Sequence, residues 1–155
     1  MDAMSLRRST QGERGAELIE FALVLPLLLA LFAGIVDFGR MFQRLEVTTN
    51  AAREGARLAS MPGYNETDVR NRVRAYMDTG IQVGAGARTT VTRTLVTITP
   101  GGGGAQFQAA QVVVSYSDTY LILGPVVTLI GGNAANFSNV TLSGTSTMRL
   151  ETVGS

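Results

Sequence analysis

An apolar run from Leu18 to Val36, broken only by Glu20 and Pro26, constrains this chain more than any other feature in it. The run is about 19 residues long, and at about 1.5 Å of rise per residue such a helix matches the roughly 30 Å hydrocarbon thickness of a bilayer. It therefore predicts a transmembrane helix rather than a buried core helix. The polar residues before it include Arg7, Arg8 and Arg14. By the positive-inside rule the N-terminus should be cytoplasmic and everything after Val36 should lie on the outer side of the membrane. A cleaved secretory signal fits less well, because its apolar region should be about 7 to 15 residues and end in a small-x-small site. Here the run passes directly into Asp37-Phe38-Gly39-Arg40.

Helical periodicity continues past the run. Phe42, Leu45, Thr49, Ala52, Ala56 and Ala59 recur at spacings of three and four, with Arg44, Glu46, Arg53, Glu54 and Arg57 between them. One helix from about Glu17 to Ser60 is expected, stopped by Pro62-Gly63. Within it Ala51, Gly55 and Ala59 form a small-xxx-small ladder, which admits either a partner helix or the chain's own outer domain. A second helix is expected over Glu66 to Asp78, with Val69, Val73, Tyr76 and Met77 on one side and Thr67 as its cap.

From Arg88 to Pro100 the period changes to two and the residues become β-branched. Gly101 to Gly104 should turn the chain into a partner strand starting near Ala110. The apolar stretch Leu121 to Ile130 is too short to cross a bilayer and is interrupted by Gly124-Pro125, so it should lie on the sheet or near the membrane surface. Asn139 to Glu151 reads as a last strand with Val140, Leu142 and Met148 inward. The fold class is therefore α+β: a long N-terminal helix, a short second helix and an antiparallel sheet of three to four strands. The expected division is a basic leader over 1–15, the membrane helix with its amphipathic extension over 16–61, and an extracytoplasmic head over 62–155.

Composition narrows the function. The net charge is +1 and all 13 basic residues are Arg, with no basic cluster beyond the N-terminus, so no nucleic-acid partner is expected. The chain has no Cys and no His, which removes disulfides and the usual thiolate and imidazole metal ligands, general bases and thiol nucleophiles. Ser115, Ser117 and Asp118 lie close together, but no base is in sight to activate a serine. No enzyme, cofactor, metal or small-molecule substrate is expected.

Polar groups at the start of the membrane run are the informative constellation. Glu20 lies inside the apolar stretch, five residues after Gly15 and just before Phe21. An acid at a helix centre costs about 2.5 to 3.5 kcal/mol on insertion scales, less near an end, so an ionised Glu20 needs a partner. Cleavage after Gly15 would create an α-amino cation on Ala16 able to pair with Glu20 of a neighbouring subunit, relieving that cost only on assembly.

Gly15-Ala16-Glu17-Leu18-Ile19-Glu20-Phe21 resembles the type IV prepilin processing motif. The wider stretch from Arg14 to Arg57, including Gly34-Ile35-Val36-Asp37-Phe38-Gly39-Arg40 and Asn50-Ala51-Ala52-Arg53-Glu54-Gly55-Ala56-Arg57, resembles the TadE-like family of pseudopilins. Ser146 to Glu151 is similar, more weakly, to the end of the family's outer domain. The resemblance implies a minor, pilin-like component of the bacterial tight-adherence (Tad, or Flp) pilus system. It implies a single pass through the inner membrane, incorporation into a pilus or its export machinery, and partners among membrane lipid, a prepilin peptidase, other pilin or pseudopilin subunits and the assembly platform. Position by position it implies cleavage after Gly15, a need for Glu20 in processing or assembly, and a kink at Pro26. Gly34, Ala51, Gly55 and Ala59 would serve helix packing, and Asp37, Gly39 and Arg40 would mark the outer membrane boundary. Glu17 departs from the simple pattern by adding a second acid beside the cut. The spacing of Asp37 and Arg40 permits a same-face pair, but exposed pairs contribute little and an interfacial anchor is the expected role. The competing reading is an uncleaved, membrane-tethered adhesion or ligand-binding domain.

Overall fold

A computed structural model describes residues 9–151 except 83, 103, 134 and 136–138, with side chains from Gly15 onward. Arg7, Arg8, the side chain of Arg14 and the turn residue Gly103 lie outside that description. The element order is α1 (Ser9–Ser60), α2 (Glu66–Gly80), a short 3-10 turn (Gly86–Arg88), β1 (Thr89–Ile98), β2 (Phe107–Asp118), α3 (Leu123–Leu129) and β3 (Val140–Arg149). The expected α+β architecture is present, with a three-stranded antiparallel sheet in the order β1-β2-β3. By compactness the chain divides into two units: residues through Phe38 with Tyr120–Ser138, and Gly39–Thr119 with residues from Asn139 onward. Residues 120–138, expected as part of the head, thus group with the N-terminal helix.

In the first unit α1 begins at Ser9 rather than near Glu17, since no proline precedes Pro26 to stop a helix that the apolar run nucleates. Pro26 lies inside α1 without ending it. Leu121 to Ile130, left open between sheet and membrane, instead forms α3 with its flanks.

The second unit holds the core. The inward face of α1 is built from Ala51, Ala52, Gly55, Ala56 and Ala59, and α2 contributes Val69, Val73 and Met77 at four-residue spacing. Val91, Val112, Val114, Tyr116 and Leu142 supply the sheet's side of the same cluster. The stripe differs from the one expected, because Phe42 is 69 % exposed while Met41 and Thr48 are buried. Small residues rather than large ones define it, since neighbouring elements press against the α1 backbone. A Cβ on Gly55 would lie 2.7 Å from Val73 Cγ2 and 3.1 Å from Val112 Cγ1. One on Gly144 of β3 would lie 2.7 Å from the Thr49 Cα.

The end of α1 is satisfied by distant residues and the start of α2 by its own cap. Arg93 donates to the Ala59 carbonyl at 3.2 Å, and the Glu151 amide donates to the Ser60 carbonyl at 2.9 Å. Gly63 then takes φ +90°, open to glycine and costly for other residues. The cap of α2 is Asn65, not Thr67: its side chain accepts from the amides of Thr67 at 2.8 Å and Asp68 at 3.1 Å, while Asp68 accepts from the Asn65 amide at 3.0 Å. That reciprocal pair is a capping box one turn wide. Strand pairing follows the expected hairpin, with Thr89 opposite Tyr116 and Ile98 opposite Phe107, and β3 pairs the other edge of β2 with Leu142 opposite Tyr116. The outer face carries Thr90, Thr92, Thr94, Thr141, Ser143 and Thr145, all exposed, so the alternation separates core from water.

Candidate functional site on the N-terminal helix

Between Gly15 and Val36 the acids of α1 are Glu17 and Glu20. Both side chains are exposed, and with Phe21 and Val24 they share one helix face at spacings of three and four. Among the described residues nothing meets a Cβ built at Gly15 within 4 Å, so packing among them does not require glycine there. Around these acids the helix is apolar on all sides: Leu18, Ile19, Phe21, Leu23, Leu27, Leu31, Phe32 and Ile35 are each more than half exposed. A core helix of a water-soluble protein buries such a surface, whereas among the described residues this one leaves it exposed. Among the described residues α1 is the one helix long and apolar enough to cross a membrane.

The expected boundary residues separate in role. Asp37 is fully buried, and within its unit it accepts three main-chain N–H groups, from Leu121 at 3.0 Å, Ile122 at 2.9 Å and Leu123 at 2.7 Å. Leu123 opens α3 and the other two amides lead into it, so a carboxylate 84 or more residues away in sequence holds the entry to that helix. Gly39 is exposed with open space around it, and Arg40 is half-buried. Gly34 meets only the Phe38 ring, at 3.9 Å, and with Ala30, Leu31, Ile35, Phe38 and Leu123 lines an apolar recess. Ala51, Gly55 and Ala59 are placed against the chain's own α2 and sheet, the second of the two occupants that the ladder admits.

Two charged groupings were not singled out from the sequence. Arg44 pairs with Asp118 at the end of β2, where Asp118 is 3 % exposed and Arg44 13 %. The signal was available: position 44 lies on the buried stripe of α1, one turn from Met41 and Thr48, and a charge there needs a partner. On the surface, Glu54 accepts from Arg57 at 3.0 Å and from Arg72 of α2 at 3.0 and 3.1 Å. The Arg57 hydrogen bond is the main cause holding the Glu54 carboxyl below its ordinary range, against a smaller opposing effect of burial and with help from Arg72.

One exposed apolar helix joined to a small α+β domain defines a class, that of proteins with a membrane-span-capable N-terminal helix. Within that class, residues 15–57 match the family model described as TadE-like protein, in agreement with the resemblance carried by the same residues. The match opens on Gly15 and closes on Arg57, wholly inside α1. No curated protein and no solved structure matches the chain.

Proposed function

We propose that this chain is a pseudopilin-like subunit of a Tad-type pilus or its export machinery, acting by assembly and not by catalysis. The observation that carries the reading is an acid, Glu20, exposed within the apolar run Leu18–Val36 of α1, five residues after the glycine at which the TadE-like match begins. In this reading α1 sits in the bacterial inner membrane with its N-terminus cytoplasmic, and a prepilin peptidase cuts between Gly15 and Ala16. The new Ala16 amine then pairs with Glu20 of an adjoining pilin or pseudopilin. An ion pair between subunits offsets two charges that are costly in lipid one at a time, so insertion and polymerisation become linked. Glu17, one turn away on the same face, offers the amine a second partner.

Co-expression with a prepilin peptidase tests this. N-terminal sequencing should then return Ala16, and Glu20→Ala should leave membrane insertion intact while abolishing co-purification with pilus subunits. A chain that stays full length beside a pilin cut by the same enzyme, and works without Glu20, is instead a tethered binding domain.

A further inference from the structure

We infer that residues 120–132 form a foothold in the lipid headgroup region, fastened to the end of the membrane helix by Asp37; this rests on the membrane reading of α1. Asp37 directly follows the last apolar residue of the run, Val36, so the three amides it holds are fixed at the depth where that run ends. The segment so placed suits a lipid surface and not water. No charged residue occurs between Asp118 and Arg149. Leu121 is 59 % exposed, Leu129 74 % and Ile130 51 %, and in the same unit Ile35 and Phe38 of α1 are exposed as well. The recess that Leu123 shares with Ala30, Leu31, Gly34, Ile35 and Phe38 makes the apolar surface of α3 continuous with that of the membrane helix.

Entry into a low-dielectric layer also requires that main-chain groups be paired. At the front of α3 Asp37 supplies the acceptor. At its back the Gly131 amide donates to Thr128 at 3.1 Å and the Gly132 amide to Val127 at 2.8 Å, with Gly131 at φ +82° to allow the turn. The Thr128 hydroxyl is spent on the Gly124 carbonyl at 3.0 Å. Seven helical residues are too few to cross a bilayer, so α3 lies along the boundary with Leu129 and Ile130 in the acyl edge.

The chain has no tryptophan, so single reporters can be read in the full-length protein reconstituted in phosphatidylcholine–phosphatidylglycerol vesicles carrying bromine at shallow acyl positions. Leu129→Trp should lose emission to the brominated lipid as fully as Ile35→Trp does, while Thr92→Trp on the outer face of β1 should be quenched by aqueous iodide alone. In an Asp37→Ala background the Leu129 reporter should pass from lipid to iodide quenching, with the Ile35 reporter unchanged. Iodide quenching of Leu129→Trp in the otherwise native chain overturns the foothold while leaving the membrane helix standing. So does shielding from both quenchers that fades as protein is diluted in lipid, which marks a second copy as the occupant. Lipid quenching at 129 that survives Asp37→Ala overturns the role given to Asp37. An Ile35 reporter that bromine does not reach overturns the membrane reading itself, and the foothold with it.

Discussion

The backbone of Thr49 on α1 and the α-carbon of Gly144 on β3 approach so closely that a side chain at position 144 would collide: a Cβ there would stand 2.7 Å from Thr49 Cα and 2.9 Å from the Thr48 carbonyl oxygen. Neither partner is a flexible side chain, so the contact yields only by moving β3 off α1. Gly144→Ala should cost about 1 to 3 kcal/mol of stability by overpacking, read as a lower urea midpoint for the full chain in micelles. Gly39→Ala, whose added methyl meets nothing, should instead leave the midpoint unchanged or raise it by a fraction of a kcal/mol, about 0.5, through helix propensity.

Arg44 and Asp118 form an ion pair inside the second unit, and removing one partner leaves the other charge buried alone. Asp118→Ala or Arg44→Ala should each destabilise by about 3 to 5 kcal/mol, whereas Arg44→Met with Asp118→Leu should restore most of the loss. A double-mutant cycle in denaturant checks this: additive single losses would show that the pair is not coupled.

Tyr116 is fully buried and its hydroxyl has no hydrogen-bond partner among the described residues. Tyr116→Phe keeps the ring in the core and removes a desolvated polar atom, so thermal unfolding should show no loss, and a gain of up to about 1 kcal/mol. A clear loss would mean that the hydroxyl is bonded in solution.

Glu54 joins α1 to α2 through Arg57 and Arg72. Because its folded carboxyl lies below the ordinary value of 4.5, the group adds stability above that pH and the contribution is lost as pH falls through the depressed folded value. Stability of the native chain should therefore fall more steeply below pH 4.5 than that of Glu54→Gln, while near neutrality the variant should be weaker by under about 1 kcal/mol. Parallel acid limbs for the two proteins would refute the linkage.

Much of the fold is legible where local chemistry is decisive. Pro62-Gly63 ends α1 where expected because no α-helix continues through that pair, and the β-branched alternation after Arg88 can pair only as a hairpin across the glycine turn. Phe42 misleads because hydrophobicity favours it for the core, while the buried stripe of α1 passes beside it, through Met41, Arg44 and Thr48. Asn65 with Asp68 three residues on is a stronger cap signal than the expected Thr67. Asp37 and α3 could not be read at all, since nothing local in either segment announces a bond spanning 84 residues or more. At the proposed processing site the sequence carries nearly everything, since the Gly15 to Phe21 motif and its exposed acids need no tertiary contact to be recognised.

The Asp37 clasp has a further consequence for how the chain tolerates change. Its three donors are peptide amides, which every residue but proline provides whatever its side chain. Positions 121–123 can therefore exchange one apolar residue for another and keep the clasp, whereas the acid has no such latitude. Divergence in that loop is free in side chain and barred only to proline, so a library randomised at Asp37, Leu121, Ile122 and Leu123 should recover wide variety at 121–123 and a single solution at residue 37.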